Sequence, residues 1–140
     1  MKPKLSDVYW PLRLSYGLVP LLAGLDKYLG ILADWKRYMS PLAASVLPVP
    51  VETFLHIVGV VEVIVGLAVL FGLTRLGALT AMVWLVAIAL QLLVAGYFDI
   101  AVRDLVMAVG AYSLARVAAE RGEEFVPNLS GIGAERLAHR

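Results

Sequence analysis

The chain is 140 residues long, 61% hydrophobic and 16% charged, with a formal net charge of +1 and a mean hydropathy of +0.83. A water-soluble globule of this composition would expose far too much apolar surface, and its scattered basic residues do not form a nucleic-acid groove, so no nucleic-acid partner is expected. The absence of cysteine removes thiol and disulfide chemistry, iron–sulfur ligation and covalent haem attachment.

Four apolar stretches, 12–32, 54–71, 76–93 and 101–119, are each about twenty residues, matching a hydrocarbon core of roughly 30 Å at 1.5 Å rise per residue. The expected architecture is all-α, a transmembrane up-down-up-down four-helix bundle in the cytoplasmic membrane with the lipid bilayer as its main partner. Residues 1–119 would form the four-span domain and 120–140 a polar cytoplasmic tail.

The first stretch holds Pro20, Asp26 and Lys27 and lacks a small-x-small cleavage site, so it is expected to remain in the mature protein. Arg13, Gly17, Pro20, Gly24 and Lys27 share one side of it. Pro20 should bend this helix and open volume in the bundle. The loop 33–53 follows, with Trp35 and Tyr38 suited to the headgroup layer and a short interfacial helix expected over 34–44. Pro48 and Pro50 then force an extended approach to the second span.

On the second span, a turn of roughly 100° per residue brings Glu52, His56, Gly59, Glu62 and Gly66 onto one face, which must look into the bundle. The two glycines are read as packing positions. Glu62 lies about ten residues in, near the midplane, where an unpaired carboxylate costs several kcal/mol. It must be neutral unless a cation such as Lys27 or Arg103 reaches it. Glu52 and His56 stand at i, i+4, but two ligands are too few for a metal site, and none is expected. His139 lies in the tail, so a single intramembrane histidine is left and haem is not expected either.

A tight Gly72-Leu73-Thr74-Arg75 turn leads into the third span, where Gly77, Ala81, Trp84, Ile88 and Gln91 form one seam. Trp84 and Gln91 facing Glu62 would line a pocket suited to a quinone headgroup or a small polar aromatic. Asp99, Arg103 and Asp104 open the fourth span at the depth of Asp26. An Asp26–Arg103 or Glu52–Arg103 ion pair is therefore expected. Eight of the twelve lysines and arginines fall on the side of the termini and the 72–75 turn, so both termini are expected to be cytoplasmic.

Three separated blocks then match a known pattern. Arg13-Leu14-x-x-Gly17 with Gly24-Leu25-Asp26-Lys27-Tyr28, Gly59 to Leu67 with Gly72-Leu73-Thr74-Arg75, and Tyr97 to Asp104 together resemble the signatures of DoxX-like membrane proteins. The resemblance implies a four-span bundle and, on this chain, functional positions at Asp26, Lys27, Glu62, Arg103 and Asp104. It also implies a link to quinone-coupled sulfur oxidation or to complexes handling thiols and oxidative stress. Branches that work through paired cysteines cannot lend their mechanism to a chain with none.

The cofactor-contacting set read from the chain is thus Asp26, Lys27, Glu62, Trp84, Gln91, Arg103 and Asp104. The leading reading is an accessory subunit of a respiratory or redox complex that contacts quinone. It would act with partner subunits or as a homo-oligomer and would not be catalytic alone. A structural scaffold ranks second, and a small proton-linked carrier third, because inverted repeats are missing.

Overall fold

The computed structural model describes residues 4–126, and they are all-α. Four long helices, α1 (Leu5–Leu29), α3 (Val51–Leu70), α4 (Thr74–Val94) and α5 (Phe98–Glu120), are present, and the connection from α1 to α3 holds a 3-10 turn (Trp35–Tyr38) and the short α2 (Pro41–Val46). Of the cytoplasmic tail expected over 120–140, residues 127–140 lie outside the described residues.

Local chemistry sets the ends of these helices. Asp7 accepts from the Lys4 backbone N–H at 3.0 Å and closes the first turn of α1. Gly30, at φ +64, ends it by donating its N–H to the Asp26 carbonyl at 2.7 Å, a left-handed cap that a side chain would strain. The single interfacial helix expected over 34–44 is instead broken in two. Pro41 restricts Ser40 to an extended conformation (φ −70, ψ 147), and Ser40 then caps α2 by accepting from the Ala43 N–H at 3.0 Å.

The helices pack chiefly as two pairs, α1 with α3 and α4 with α5, joined more lightly along α3–α4 and α1–α5. Within the first pair the backbones touch. A Cβ on Gly24 would stand 2.5 Å from the Gly59 carbonyl oxygen, and one on Gly66 would stand 2.6 Å from that of Gly17. The pairing of 17 with 66 and 24 with 59 also makes the two helices antiparallel. Glycine is required here by lack of room, as the packing reading of Gly59 and Gly66 holds.

We call the end holding the α3–α4 turn the base and the end holding the 30–50 connection the mouth. The base is closed by a cluster drawn from all four long helices, with Tyr9, Val69, Ala78 and Leu114 buried together. Arg13 seals it further, donating to the carbonyls of Val69 (3.0 Å) and Leu70 (2.7 Å) at the end of α3 and to the Tyr9 hydroxyl. Tyr9, which lies before the apolar stretch beginning at Leu12, also donates to Glu123. Burial, with that carboxylate beside it, raises the Tyr9 phenol above its ordinary range.

Large apolar side chains face outward along the helices, among them Leu18, Leu22, Ile64, Val83 and Val106. Two helices, α3 and α4, are long and apolar enough to cross a membrane, with mean hydropathies of 2.3 and 2.2. That is fewer than the four expected. α1 and α5 dilute their apolar faces with Asp7, Arg13, Asp26 and Lys27, and with Asp99, Arg103, Asp104 and Arg116.

Candidate functional site

Toward the mouth the two helix pairs no longer share a core. The cluster there, Ala89, Leu92 and Ala101, belongs to α4 and α5 and is capped by Tyr38 and Tyr97 from the connecting segments. Between it and the α1–α3 pair lies a cavity of about 550 Å³, within the range that holds small organic ligands. Its walls are largely apolar, with Phe54, Leu55 and Val58 on one side and Ile88 and Ile100 on the other.

Six of the seven candidate residues line this cavity: Lys27, Glu62, Trp84, Gln91, Arg103 and Asp104. Lys27 Nζ lies 2.5 Å from Glu62 Oε2, and both side chains are over nine-tenths buried. The cation that Glu62 needs is therefore Lys27, reaching across the α1–α3 contact one turn from the Gly24–Gly59 approach. Lys27 also stands 3.9 Å above the Trp35 ring, a cation–π contact in a desolvated setting. The ammonium thus has a carboxylate on one side and an aromatic face on the other.

Asp26 is not part of the lining. It is buried at 3% exposure and turned toward the connection. There it accepts from the backbone N–H groups of Ile31 (2.8 Å), Leu32 (2.9 Å) and Ala33 (3.3 Å) and from the Trp35 indole at 2.8 Å. One carboxylate satisfies the backbone donors of the segment that follows α1 and draws Trp35 inward over Lys27.

Both ion pairs expected for Arg103 are corrected by this arrangement. Asp26 is committed to the loop, and Glu52 pairs with Lys36 at 2.9 Å on the surface. Arg103 instead meets its neighbour Asp104 at 3.1 Å, with the Arg103 side chain 63% exposed at the rim and that of Asp104 buried. His56 stacks on Tyr28, ring centroids 4.5 Å apart, while Glu52 is held by Lys36. The two residues considered as metal ligands therefore have different partners. Among the described residues, no group of three or more His, Asp or Glu could hold a metal ion.

Gln91 donates through Nε2 to the Tyr38 carbonyl at 2.7 Å, which fixes which way its amide points. Its Oε1 is buried and has no hydrogen-bond partner among the described residues, and the same is true of Trp84 Nε1. Orphaned buried polar atoms are rare and costly, about 1–3 kcal/mol each. Both atoms are sealed in the packing, although other atoms of Trp84 and Gln91 line the cavity.

Reasoning from the chain missed Trp35, Tyr38 and Phe54 as wall residues. Trp35 and Tyr38 carry the composition of interfacial aromatics, and the inward turn is revealed by the Asp26 bond to the Trp35 indole and the Gln91 bond to the Tyr38 carbonyl. Comparison with known proteins gives a family model, DoxX, matching residues 9–96. No curated protein and no solved structure matches the chain.

Proposed function

Because the chain belongs to the DoxX family and carries helices suited to a membrane, we propose that it is a multi-pass protein of the cytoplasmic membrane that binds a quinone-type aromatic headgroup in the mouth cavity. It serves there as an accessory subunit of a respiratory or redox complex. Its four long helices cross up-down-up-down, with residues 1–119 as the membrane domain and 120–140 as the cytoplasmic tail. The base, with Lys4, Arg13, Arg75, Arg116 and Arg121, faces the cytoplasm.

One observation carries this reading: the cavity joins mostly apolar walls, Trp84 among them, to a few polar residues, Gln91, Lys27 and Glu62. Flat apolar walls suit an aromatic ring, and a few placed polar atoms fix its orientation. Trp84 and Gln91, both on its wall, would contact the ring. A quinone, when bound, supplies two-electron, two-proton redox chemistry. The chain's own residues bind the ring, exclude water and keep a buried ion pair beside it, a pair that costs desolvation and so calls for a role beyond packing.

The test is purification in mild detergent followed by mass spectrometry of the lipid extract and of accompanying chains. A quinone retained by the native protein and lost from a Trp84→Ala variant, together with defined partner chains, supports the proposal. A folded, solitary and quinone-free protein moves the reading to a structural scaffold, in which the Lys27–Glu62 pair only sets helix register.

A further inference from the structure

We infer that the mouth cavity is entered from the side, through a gap between α1 and α5, and that its ligand keeps a hydrocarbon tail among the acyl chains while its headgroup sits inside. This rests on the reading of the cavity as a quinone-type site. It deepens that reading by assigning a tailed, membrane-borne ligand over a water-soluble one, and the route by which it arrives.

The gap follows from a register that runs along α1 and α5. At the base Tyr9 is buried with Leu114. Further along, Tyr16 donates its hydroxyl to the Met107 carbonyl at 2.7 Å and packs against Gly110. Positions seven apart share one stripe of a helix, so these are two rungs of an antiparallel ladder. A further seven residues in each helix set Ala23 level with Ile100, with Arg103 on the α5 stripe of Met107 and Gly110. The first two rungs are each filled by a tyrosine of α1, whereas the third offers one methyl group. Ile100 and Arg103 both line the cavity, and the Arg103 side chain is 63% exposed. The cavity therefore reaches the outer surface where α1 ceases to cover α5.

The remaining sides are more heavily covered. Across the end, the connection after α1 contributes Trp35, Tyr38 and Met39 to the lining. It is tied to α1 through Asp26, to α3 through the Lys36–Glu52 pair, to α4 through the Gln91–Tyr38 bond, and to the start of α5, where the Tyr97 hydroxyl donates to the Arg37 carbonyl at 3.1 Å. α1 and α3 approach backbone to backbone at Gly24 and Gly59, and α4 and α5 share the core of Ala89, Leu92 and Ala101. Between α3 and α4 the lining is made by the large side chains of Phe54, Trp84 and Ile88.

What flanks the gap decides what passes through it. Val19 and Leu22 on α1 and Val102 and Val106 on α5 are exposed, and in a bilayer such surface faces acyl chains. A ligand using this route is already dissolved in lipid. Size points the same way, because a cavity of about 550 Å³ suits a substituted ring and would be overfilled by a ring with a long alkyl or isoprenoid chain. The chain must stay outside, and Ala23 leaves room for it to pass.

The test is photolabelling of the full chain in lipid nanodiscs, using a fully substituted benzoquinone whose alkyl tail carries a diazirine a few carbons from the ring. Labelled peptides are read by mass spectrometry with and without an excess of tetramethyl benzoquinone, which has no tail. Labelling that this competitor removes reports tails whose rings occupy the cavity. We expect it on α1 over 19–23 and on α5 over 102–107. Ala23→Trp, which fills the third rung, should weaken the tailed probe about tenfold relative to the tailless one, with folding checked by circular dichroism.

Competed labels on α3, on α4 or on the connection after α1 overturn the side gap and leave the aromatic-site reading standing. Labelling of folded native protein that the competitor leaves untouched overturns both. A folded Ala23→Trp variant that binds the two probes in the native ratio overturns the gap. Should that variant not fold, the label positions on the native protein decide the matter.

Discussion

The base and the mouth are built from the same four long helices and solve opposite problems. At the base every buried side-chain polar group among the described residues has a partner: Arg13 caps two carbonyls of α3, Tyr9 bonds Glu123, and Thr74 donates to the Val69 carbonyl at 3.1 Å. At the mouth, buried charge is concentrated in Lys27, Glu62 and Asp104, and two polar atoms go unpaired. A region that satisfies its donors and acceptors internally is built for stability. The contrast is the physical ground on which a binding role is proposed for the mouth.

The comparison can be broken most sharply at the Gly17–Gly66 contact. Gly66→Leu places a side chain against the α1 backbone, and we expect loss of monodisperse folded protein in size-exclusion chromatography, since backbone cannot yield as a flexible side chain can. A folded variant with unchanged melting would refute the close approach.

Next in size is Lys27→Met, which leaves Glu62 buried without its cation and should cost about 3–5 kcal/mol in thermal or denaturant unfolding. The double change with Glu62→Leu should recover most of that loss. If the single and double variants melt together, removing Lys27 does not leave Glu62 as an uncompensated buried charge.

Leu114→Ala, inside the base, should destabilise by about 2–5 kcal/mol while shifting aromatic-ligand affinity less than twofold in calorimetry. Asp26→Ala should do the reverse. It frees the 31–35 backbone, speeds proteolytic cleavage there and weakens ligand binding several-fold, though the residue never touches the cavity. The smallest effect is expected for Lys36→Gln, whose exposed partner Glu52 holds it at 2.9 Å. Exposed pairs contribute little, so the melting temperature should not move measurably.

Much of this architecture could be read from the residues. Apolar runs of spanning length located the helices, because length and hydropathy are local properties. Glu62 announced its need for a cation because a carboxylate at that depth is costly, and Lys27 was one of two residues named to meet it. The glycines at 59 and 66 marked close packing for a similar reason. The inward turn of the connection was not legible. Trp35 and Tyr38 look like interface aromatics by composition, and what redirects them is Asp26 collecting backbone N–H groups, which carry no residue identity. Nor was the partner of Arg103, since adjacent positions on a helix point about 100° apart and meet only where a long side chain curls back at an open rim.

The abutting glycines along α1 and α3 carry a mechanical consequence. Two rods in backbone contact cannot slide or splay without opening a void along their length. They therefore behave as a single stiff post, and any widening of the cavity must come from the α4–α5 pair swinging away or from the Asp26-tethered strap lifting. Distance measurements between spin labels should therefore give a narrower spread across α1 and α3 than between α3 and α5.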